Sequence, residues 1–193
     1  MAAPSQALPQ NPDDFCKYRP LYRAILAANW EQALIFFNHD ASSIQSPLTN
    51  DLETALHVGA KAGNASFMEK LVSLLSDHEL GPRDVYGLTP LHIAARHGNI
   101  EVAHILVGRN SNLLYLQDNN GSFAIHYAVT NNLPKSKEAF VYFLGVTRDD
   151  EYGHPNPYAG PSGVSILVNL ILYKFYGTYT VHTRPPPTIS YPS

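Results

Sequence analysis

Three histidines recur at almost constant spacing, and they are the residues of this sequence best suited to chemistry. His57, His92 and His126 follow one another after 35 and 34 residues. Imidazole is the commonest metal ligand in proteins and a frequent general base. Whether the three rings can bind one ion depends on the distance between the secondary-structure elements that carry them.

Three further groups have reactive side chains but lack the surroundings that chemistry needs. Cys16 has no neighbouring charged helix start that would activate its thiol. Ser162 lies in a Gly-Pro-Ser-Gly sequence, but the G-x-S-x-G spacing of hydrolases fails because residue 164 is valine. The acidic run 149–151 is interpreted as a solvated loop, and no phosphate-binding glycine loop is present. We therefore predict no catalytic residue, no metal site and no cofactor, and an enzyme is the least favoured class.

The histidines belong to a repeated block of sequence. Its clearest copy begins at Thr89 and reads Thr-Pro-Leu-His-Ile-Ala-Ala-Arg-His-Gly-Asn. Further copies begin at Thr54 and, more weakly, at Phe123, and the stretch 21–31 fits the same apolar frame with Tyr22 in place of histidine. A constant step with a constant apolar frame is the signature of a repeat architecture.

Each block predicts a pair of short helices. Thr89 can cap a helix N-terminus, Pro90 suits its first position, and Gly98 can end it in a left-handed conformation. A second apolar helix follows from Ile100. Packed helices lie about 8–10 Å apart, whereas metal–nitrogen distances are about 2 Å. Histidines one repeat apart therefore cannot easily reach one ion, and we predict that their role is structural.

The Thr-Pro-Leu-His-x-Ala block resembles the signature of ankyrin repeats. The resemblance implies an all-α ankyrin-repeat solenoid of stacked helix-turn-helix units, about four repeats plus a truncated fifth, in which the histidine hydrogen-bonds the connecting loops. We expect repeats at about 18–50, 51–83, 84–117 and 118–147, together spanning 15–147. The flanking parts are expected to be a disordered arm (1–14), a Pro/Gly loop (148–163), the first helix of a degenerate fifth repeat (164–177) and a disordered Pro-rich tail (178–193).

A narrower resemblance covers roughly residues 15–177. The opening Pro20-Leu21-Tyr22-Arg23-Ala24-Ile25 and the late stretch 170–176 are similar to the N-terminal cytosolic part of plant ankyrin-repeat proteins with a C-terminal Pro-Gly-Gly (PGG) membrane domain. This resemblance implies a role in stress or defence signalling. Because no Pro-Gly-Gly motif follows and the sequence changes abruptly after Tyr176, we expect a truncated or spliced form. The alternative function is a soluble competitor of a membrane-anchored relative.

Charge and hydropathy narrow the classes of partner. The formal net charge is -3 and no basic block occurs, so no nucleic-acid partner is expected. The apolar run Val164–Tyr173 has ten residues, whereas a membrane span needs roughly 20, and no span is expected in this chain. A single cysteine favours a reducing compartment. We expect a cytoplasmic location, at the cytosolic face of the plasma membrane through partners.

The function that these features favour is a scaffold for protein–protein interaction, with a protein partner of unknown identity. Ankyrin stacks present a concave surface built from loop fingertips and the first helix of each pair. Tyr86 is the preferred anchor because aromatic side chains dominate interface energies. At the aspartate and glycine positions, a role in the backbone turn is the better interpretation. The candidate partner-binding residues are Lys61, Asp84, Tyr86, Arg96, His97, Asn119 and Asn120.

Overall fold

The computed structural model describes residues 12–129, 135–149 and 153–172. Within these ranges every regular element is helical and no strand occurs. The helices are α1 (Pro12–Leu26), α2 (Trp30–His39), α3 (Ala55–Ala62), α4 (Ala65–Ser73), α5 (Pro90–His97), α6 (Ile100–Arg109), α7 (Ala124–Val129), α8 (Ser136–Val146) and α9 (Gly160–Leu172). Short 3₁₀ turns follow the second helix of the first three pairs, at Ala41–Ile44, Asp77–Leu80 and Ser111–Tyr115.

The helices form two stacked rows. The first helices α1, α3, α5, α7 and α9 pack successively against one another, and each of the first four also packs against the second helix of its own pair. The second row runs from α2 to α8, and Trp30 joins α2 to α4 by an edge-on contact with Phe67 at 5.3 Å between ring centres. A single apolar cluster extends through the stack from Leu21 to Ile166. The predicted all-α solenoid of helix-turn-helix units is confirmed.

The third hairpin shows why these residues form these helices. Thr89 and His92 make a reciprocal capping box, and Pro90 occupies the first turn, where it needs no backbone donor. The small side chains of Ala94 and Ala95 are buried, which allows the neighbouring first helices to approach closely. Gly98 ends α5 at a φ of 69°, in the left-handed region, as its position in the sequence predicts.

Two of the expected flanking boundaries differ from the structure. Helix α1 already begins at Pro12, inside the arm expected for residues 1–14, because proline is well tolerated in the first turn of a helix. Helix α9 begins at Gly160, so the irregular loop expected for 148–163 ends four residues early. The remainder of the arm, residues 173–177 of the expected fifth-repeat helix and the Pro-rich tail lie outside the described residues.

Helix α9 takes the place expected for the first helix of a fifth unit. It packs on α7, in the row of first helices. The start of α9 lies close to the loop before it, since a Cβ at Gly163 would overlap the carbonyl oxygen of Tyr158. Tyr158 in turn donates a hydrogen bond to the Thr147 carbonyl at 3.2 Å. The segment between α8 and α9 is thereby tied to the end of α8.

Candidate functional site

Two of the repeated histidines, His57 and His92, join their hairpins to the loop of the next one. Nδ1 of His92 accepts the backbone N–H of Thr89 at 3.1 Å, so the ring proton lies on Nε2. Nε2 lies 3.1 Å from the Ser122 carbonyl, to which it donates. His57 repeats the arrangement, with Nδ1 accepting from Thr54 at 3.1 Å and Nε2 at 2.9 Å from the Leu88 carbonyl. The rings act as links between repeats.

These contacts keep the two rings neutral. Desolvation by burial lowers the pKa of His92 to about 4, and the same cause lowers the pKa of His57. Both nitrogens of each ring already have a protein partner, which leaves no lone pair directed at an ion. Within residues 12–129, 135–149 and 153–172, no group of three metal-ligating side chains comes together. His57 and His92 thus use both ring nitrogens to link successive repeats.

Three loops between the hairpins share one backbone pattern, and we name them fingertips 1, 2 and 3 (residues 49–53, 84–88 and 118–122). In fingertip 2 the Asp84 carboxylate accepts the N–H groups of Tyr86 and Leu88 at 2.9 and 2.8 Å. In fingertip 3 Asp118 accepts those of Asn120 and Ser122, both at 2.8 Å. Thr49 takes the equivalent place in fingertip 1, where its hydroxyl accepts from the N–H of Glu53 at 3.2 Å.

Neighbouring fingertips are also bonded to one another. The Val85 N–H donates to the Asp51 carbonyl at 2.9 Å, and the Asn119 N–H donates to the Tyr86 carbonyl at 3.1 Å. The Asn119 side-chain amide adds a bond to the Val85 carbonyl at 3.1 Å. Gly87, at a φ of 77°, allows this close approach, because a Cβ there would lie 2.7 Å from the Asn119 nitrogen. The middle fingertip is thus fixed from both sides.

The structure separates the candidate residues of the fingertips into two kinds. Asp84 is buried, and burial raises the pKa of its carboxyl group. Its carboxylate accepts backbone N–H groups of the turn, which is the role that the sequence favours for this position. Tyr86 exposes 58% of its surface at the tip. Asn119 and Asn120 are exposed beside it in fingertip 3. Val85, next to Tyr86, is 39% exposed but is not among the candidate residues. The sequence feature that could have indicated it is an apolar residue at the tip of a tight turn.

The remaining candidates lie on the last turns of the first helices. Lys61, at the end of α3, is exposed and reaches Glu53 of fingertip 1 at 3.9 Å. Arg96 is half-buried at the end of α5. His97 follows it, and its Nδ1 donates to the Ile93 carbonyl of its own helix at 3.0 Å. The structure brings Tyr86, Asn119 and Asn120 together at adjoining fingertips, and it links Lys61 to fingertip 1.

Sequence comparison agrees with this geometry. A family profile of ankyrin repeats, three copies long, matches residues 21–114 and again 56–154. The chain belongs to the ankyrin-repeat family. Ankyrin repeats serve protein–protein interaction, and the family is generally non-catalytic. Within the described ranges, none of the helices has both the length and the hydrophobicity needed to cross a bilayer.

Individual ankyrin-repeat relatives match over part of the chain. The human transient receptor potential cation channel subfamily A member 1 is 35% identical over 81 residues, which is 42% of this chain and 7% of the human protein. Alpha-latrotoxin-Lt1a of Latrodectus tredecimguttatus is 34% identical over 96 residues, 47% of this chain and 7% of the toxin. The ankyrin repeat domain-containing protein 13C-A of Xenopus laevis is 35% identical over 79 residues, 38% of this chain and 15% of the frog protein. The chain thus spans only a small fraction of each relative's length.

Proposed function

We propose that this ankyrin stack binds a partner protein through its fingertips and the last turns of α3 and α5. The observation that carries the proposal is the Tyr86 side chain, which is 58% exposed on a loop whose backbone is hydrogen-bonded to both neighbouring loops. A loop whose backbone is held this way loses little conformational freedom when a partner covers it. Binding to a preorganised anchor costs less ordering entropy than binding to a mobile one.

The surroundings of Tyr86 have the composition of an interface centre. Val85, next to Tyr86 in the same fingertip, adds exposed apolar surface. Asn119 is bonded to the backbone of both residues, and it and Asn120 supply exposed polar groups in the adjoining fingertip. Protein interfaces combine an apolar centre with a polar rim, and tyrosine is enriched among the residues that dominate their energy. The charged residues of the fingertips are all acidic, whereas the candidates Lys61 and Arg96 on α3 and α5 are basic. We propose an apolar or aromatic contact at Tyr86 as the main attraction, with polar and charged groups fixing its orientation.

The narrower functional statements rest on the resemblance to the plant PGG family. That resemblance is the support for a role in stress or defence signalling, and for a position at the cytosolic face of the plasma membrane. A soluble competitor of a membrane-anchored relative is the corresponding alternative. Each of these roles uses the same binding surface, and the absence of a catalytic constellation in the sequence supports a non-enzymatic function.

The test compares exposed side chains on and off the surface. The tagged full-length chain would be used to recover partners from native tissue, and the affinity of a purified candidate would then be measured by titration. Tyr86→Ala should weaken binding by about tenfold or more, which corresponds to roughly 1.4 kcal/mol or more. Ile35→Ala, an exposed aliphatic on α2, is the matched control and should leave affinity unchanged. Undiminished binding by both Tyr86→Ala and Arg96→Ala would contradict the proposal.

A further inference from the structure

Asn120 lies at the tip of fingertip 3 and is followed by Gly121, which together form the one Asn-Gly pair of the sequence. The Asn120 side chain is exposed, and its amide makes no hydrogen bond to any residue that the structure describes. The amide of the neighbouring Asn119 is held, because it donates to the Val85 carbonyl at 3.1 Å. Of the two asparagines of this fingertip, only Asn120 therefore has a carboxamide that no bond keeps away from the backbone.

Gly121 leaves the backbone after Asn120 accessible. Its φ is 76°, and a Cβ built there would meet only the side-chain nitrogen of Gln117, at 4.0 Å. A glycine has no side chain that could shield its own nitrogen from the preceding residue. The exposed Asn112, by contrast, precedes Leu113, and a branched side chain hinders the corresponding approach.

This arrangement suits a condensation of the asparagine side chain with the backbone. The Gly121 nitrogen, after losing its proton to a base, attacks Cγ of Asn120 and forms a new C–N bond. The bond from Cγ to the side-chain nitrogen breaks, and that nitrogen leaves as ammonia with a proton from water. Water then opens the five-membered succinimide. Cleavage between Cγ and the Gly121 nitrogen gives aspartate, whereas cleavage of the original main-chain bond gives isoaspartate, in which the chain continues through the former side chain.

The turn controls how fast this reaction can proceed. The Gly121 N–H donates to the Asp118 carbonyl at 3.1 Å, and this bond has to open before the nitrogen can attack. The Asp118 carboxylate also accepts the Asn120 N–H at 2.8 Å. Exposed loop tips open locally at a much lower free-energy cost than the core of a protein. We therefore expect the folded chain to react more slowly than the unfolded chain, but to react.

Isoaspartate at position 120 would lengthen the backbone inside a closed set of hydrogen bonds. The Asp118 N–H donates to the Ser122 carbonyl at 2.9 Å, and the Ser122 N–H donates to the Asp118 carboxylate at 2.8 Å, so both bonds span residue 120. The same Ser122 carbonyl accepts from Nε2 of His92 at 3.1 Å. An added methylene in the main chain therefore disturbs the link between the third and fourth repeats. Aspartate, the other product, keeps the length of the backbone.

We propose that Asn120 is a site of spontaneous deamidation through a succinimide with Gly121, and that its isoaspartate product weakens the link from His92 to fingertip 3. The reaction consumes only water and needs no enzyme. It also replaces a neutral amide by a carboxylate in loops whose charged residues are all acidic. Neither the reaction nor its effect on the stack depends on the partner proposed for the fingertips.

Incubation of the purified full-length chain at mildly alkaline pH tests the reaction. Peptide mapping by mass spectrometry follows the asparagines, and labelling by an isoaspartyl methyltransferase reports isoaspartate. We expect the peptide with Asn120 to convert first, and faster as the pH rises, because the deprotonated Gly121 nitrogen is the attacking group. Asn120→Gln should remove this product, since glutamine has to close a larger ring. Asn112→Gln, a matched change at another exposed asparagine, should retain it.

Thermal unfolding tests the effect on the stack. Incubated wild type, enriched in isoaspartate, should unfold about 2–4 °C below the fresh protein, as expected for the loss of one hydrogen bond in a chain of this size. Fresh Asn120→Asp carries the new charge without the longer backbone, so its unfolding temperature should lie closer to that of fresh wild type. Asn120→Gln should unfold at the same temperature before and after incubation.

Three outcomes would overturn the inference. Asn120 that persists in the folded chain, while the same chain in urea converts, would show that the turn protects it completely. Faster conversion at another asparagine would place the reactive site elsewhere. Conversion to isoaspartate without a lower unfolding temperature would remove the proposed effect on the link to His92.

Discussion

His92 couples two repeats through a ring that must stay neutral. Its Nδ1 accepts from the Thr89 backbone N–H, so protonation of Nδ1 would set two N–H donors against each other. The folded-state pKa of about 4 lies below the usual value of 6.5, so the unfolded chain takes up the proton first as the pH falls. Full stability from this residue is present above pH 6.5 and is lost progressively between pH 6.5 and about 4.

This linkage predicts a measurable loss of stability in mild acid. At pH 4.5 the contribution of His92 to the free energy of unfolding should be about 2–3 kcal/mol lower than at pH 7. The lowered pKa of His57 acts in the same direction. Urea denaturation at the two pH values gives the difference. It should shrink in His92→Gln and persist in His78→Gln, an exposed control. An equal pH dependence in wild type and His92→Gln would contradict this role.

The sequence predicts some residue roles well and others poorly. The spacing of His57 and His92 makes a shared metal ion difficult and favours a structural role, and the structure supplies the loop carbonyls that the two rings bind. The turn role favoured for Asp84 fits its place at the start of a turn that contains Gly87. The structure adds the two backbone N–H groups that its carboxylate accepts. The exposure of Val85 was not predicted, because whether an apolar loop residue is covered depends on the neighbouring fingertips.

At the scale of elements, three asparagines at the same repeat position, Asn29, Asn64 and Asn99, have two different roles. Asn29 and Asn64 cap α2 and α4, accepting from the N–H groups of Gln32 and Phe67 at 3.1 and 2.9 Å. Asn99, 35 residues after Asn64, instead donates its side-chain amide to the Ala60 carbonyl at 2.8 Å. It therefore joins the α5–α6 turn to the end of α3, a link between repeats rather than within one.

The difference in bonding predicts different responses to the same substitution. Asn99→Asp replaces a donor by a carboxylate that faces backbone carbonyls, and should lower the free energy of unfolding by about 1–3 kcal/mol. Asn64→Asp keeps the accepting oxygen, and a negative charge suits a helix N-terminus, so its effect should stay within about 0.5 kcal/mol. Thermal and urea unfolding of the two variants measure both values. Equal losses would show that Asn99 acts only as a cap.

Element boundaries were predictable where a capping signal marks them. The Thr-Pro start and glycine end of α5 place that helix correctly from sequence. Helix α9 lacks such a signal, because Gly160 and Pro161 are typical of a turn. The loop before it is held by the bond from the Tyr158 hydroxyl to the Thr147 carbonyl, 11 residues earlier, which the sequence around Gly160 does not indicate.

On the scale of the whole molecule, stability is distributed unevenly along the stack. Repeat arrays gain stability from each unit and from each interface between neighbours. Helix α5 packs against α3 on one side and α7 on the other, whereas α9 packs on α7 and exposes five aliphatic side chains. The repeat pattern in the sequence predicts this linear order. It does not show how the end of the stack is covered, since that depends on contacts outside the repeat.

This gradient predicts the order in which backbone amides exchange with solvent. In dilute protein, amides of α9 should exchange through local opening well before those of α5, which require most of the stack to open. Hydrogen exchange followed by mass spectrometry resolves the two helices. Protection of α9 as strong as that of α5 would contradict the gradient, because an end helix that packs on a single neighbour in its row would then be as stable as a helix packed on both sides.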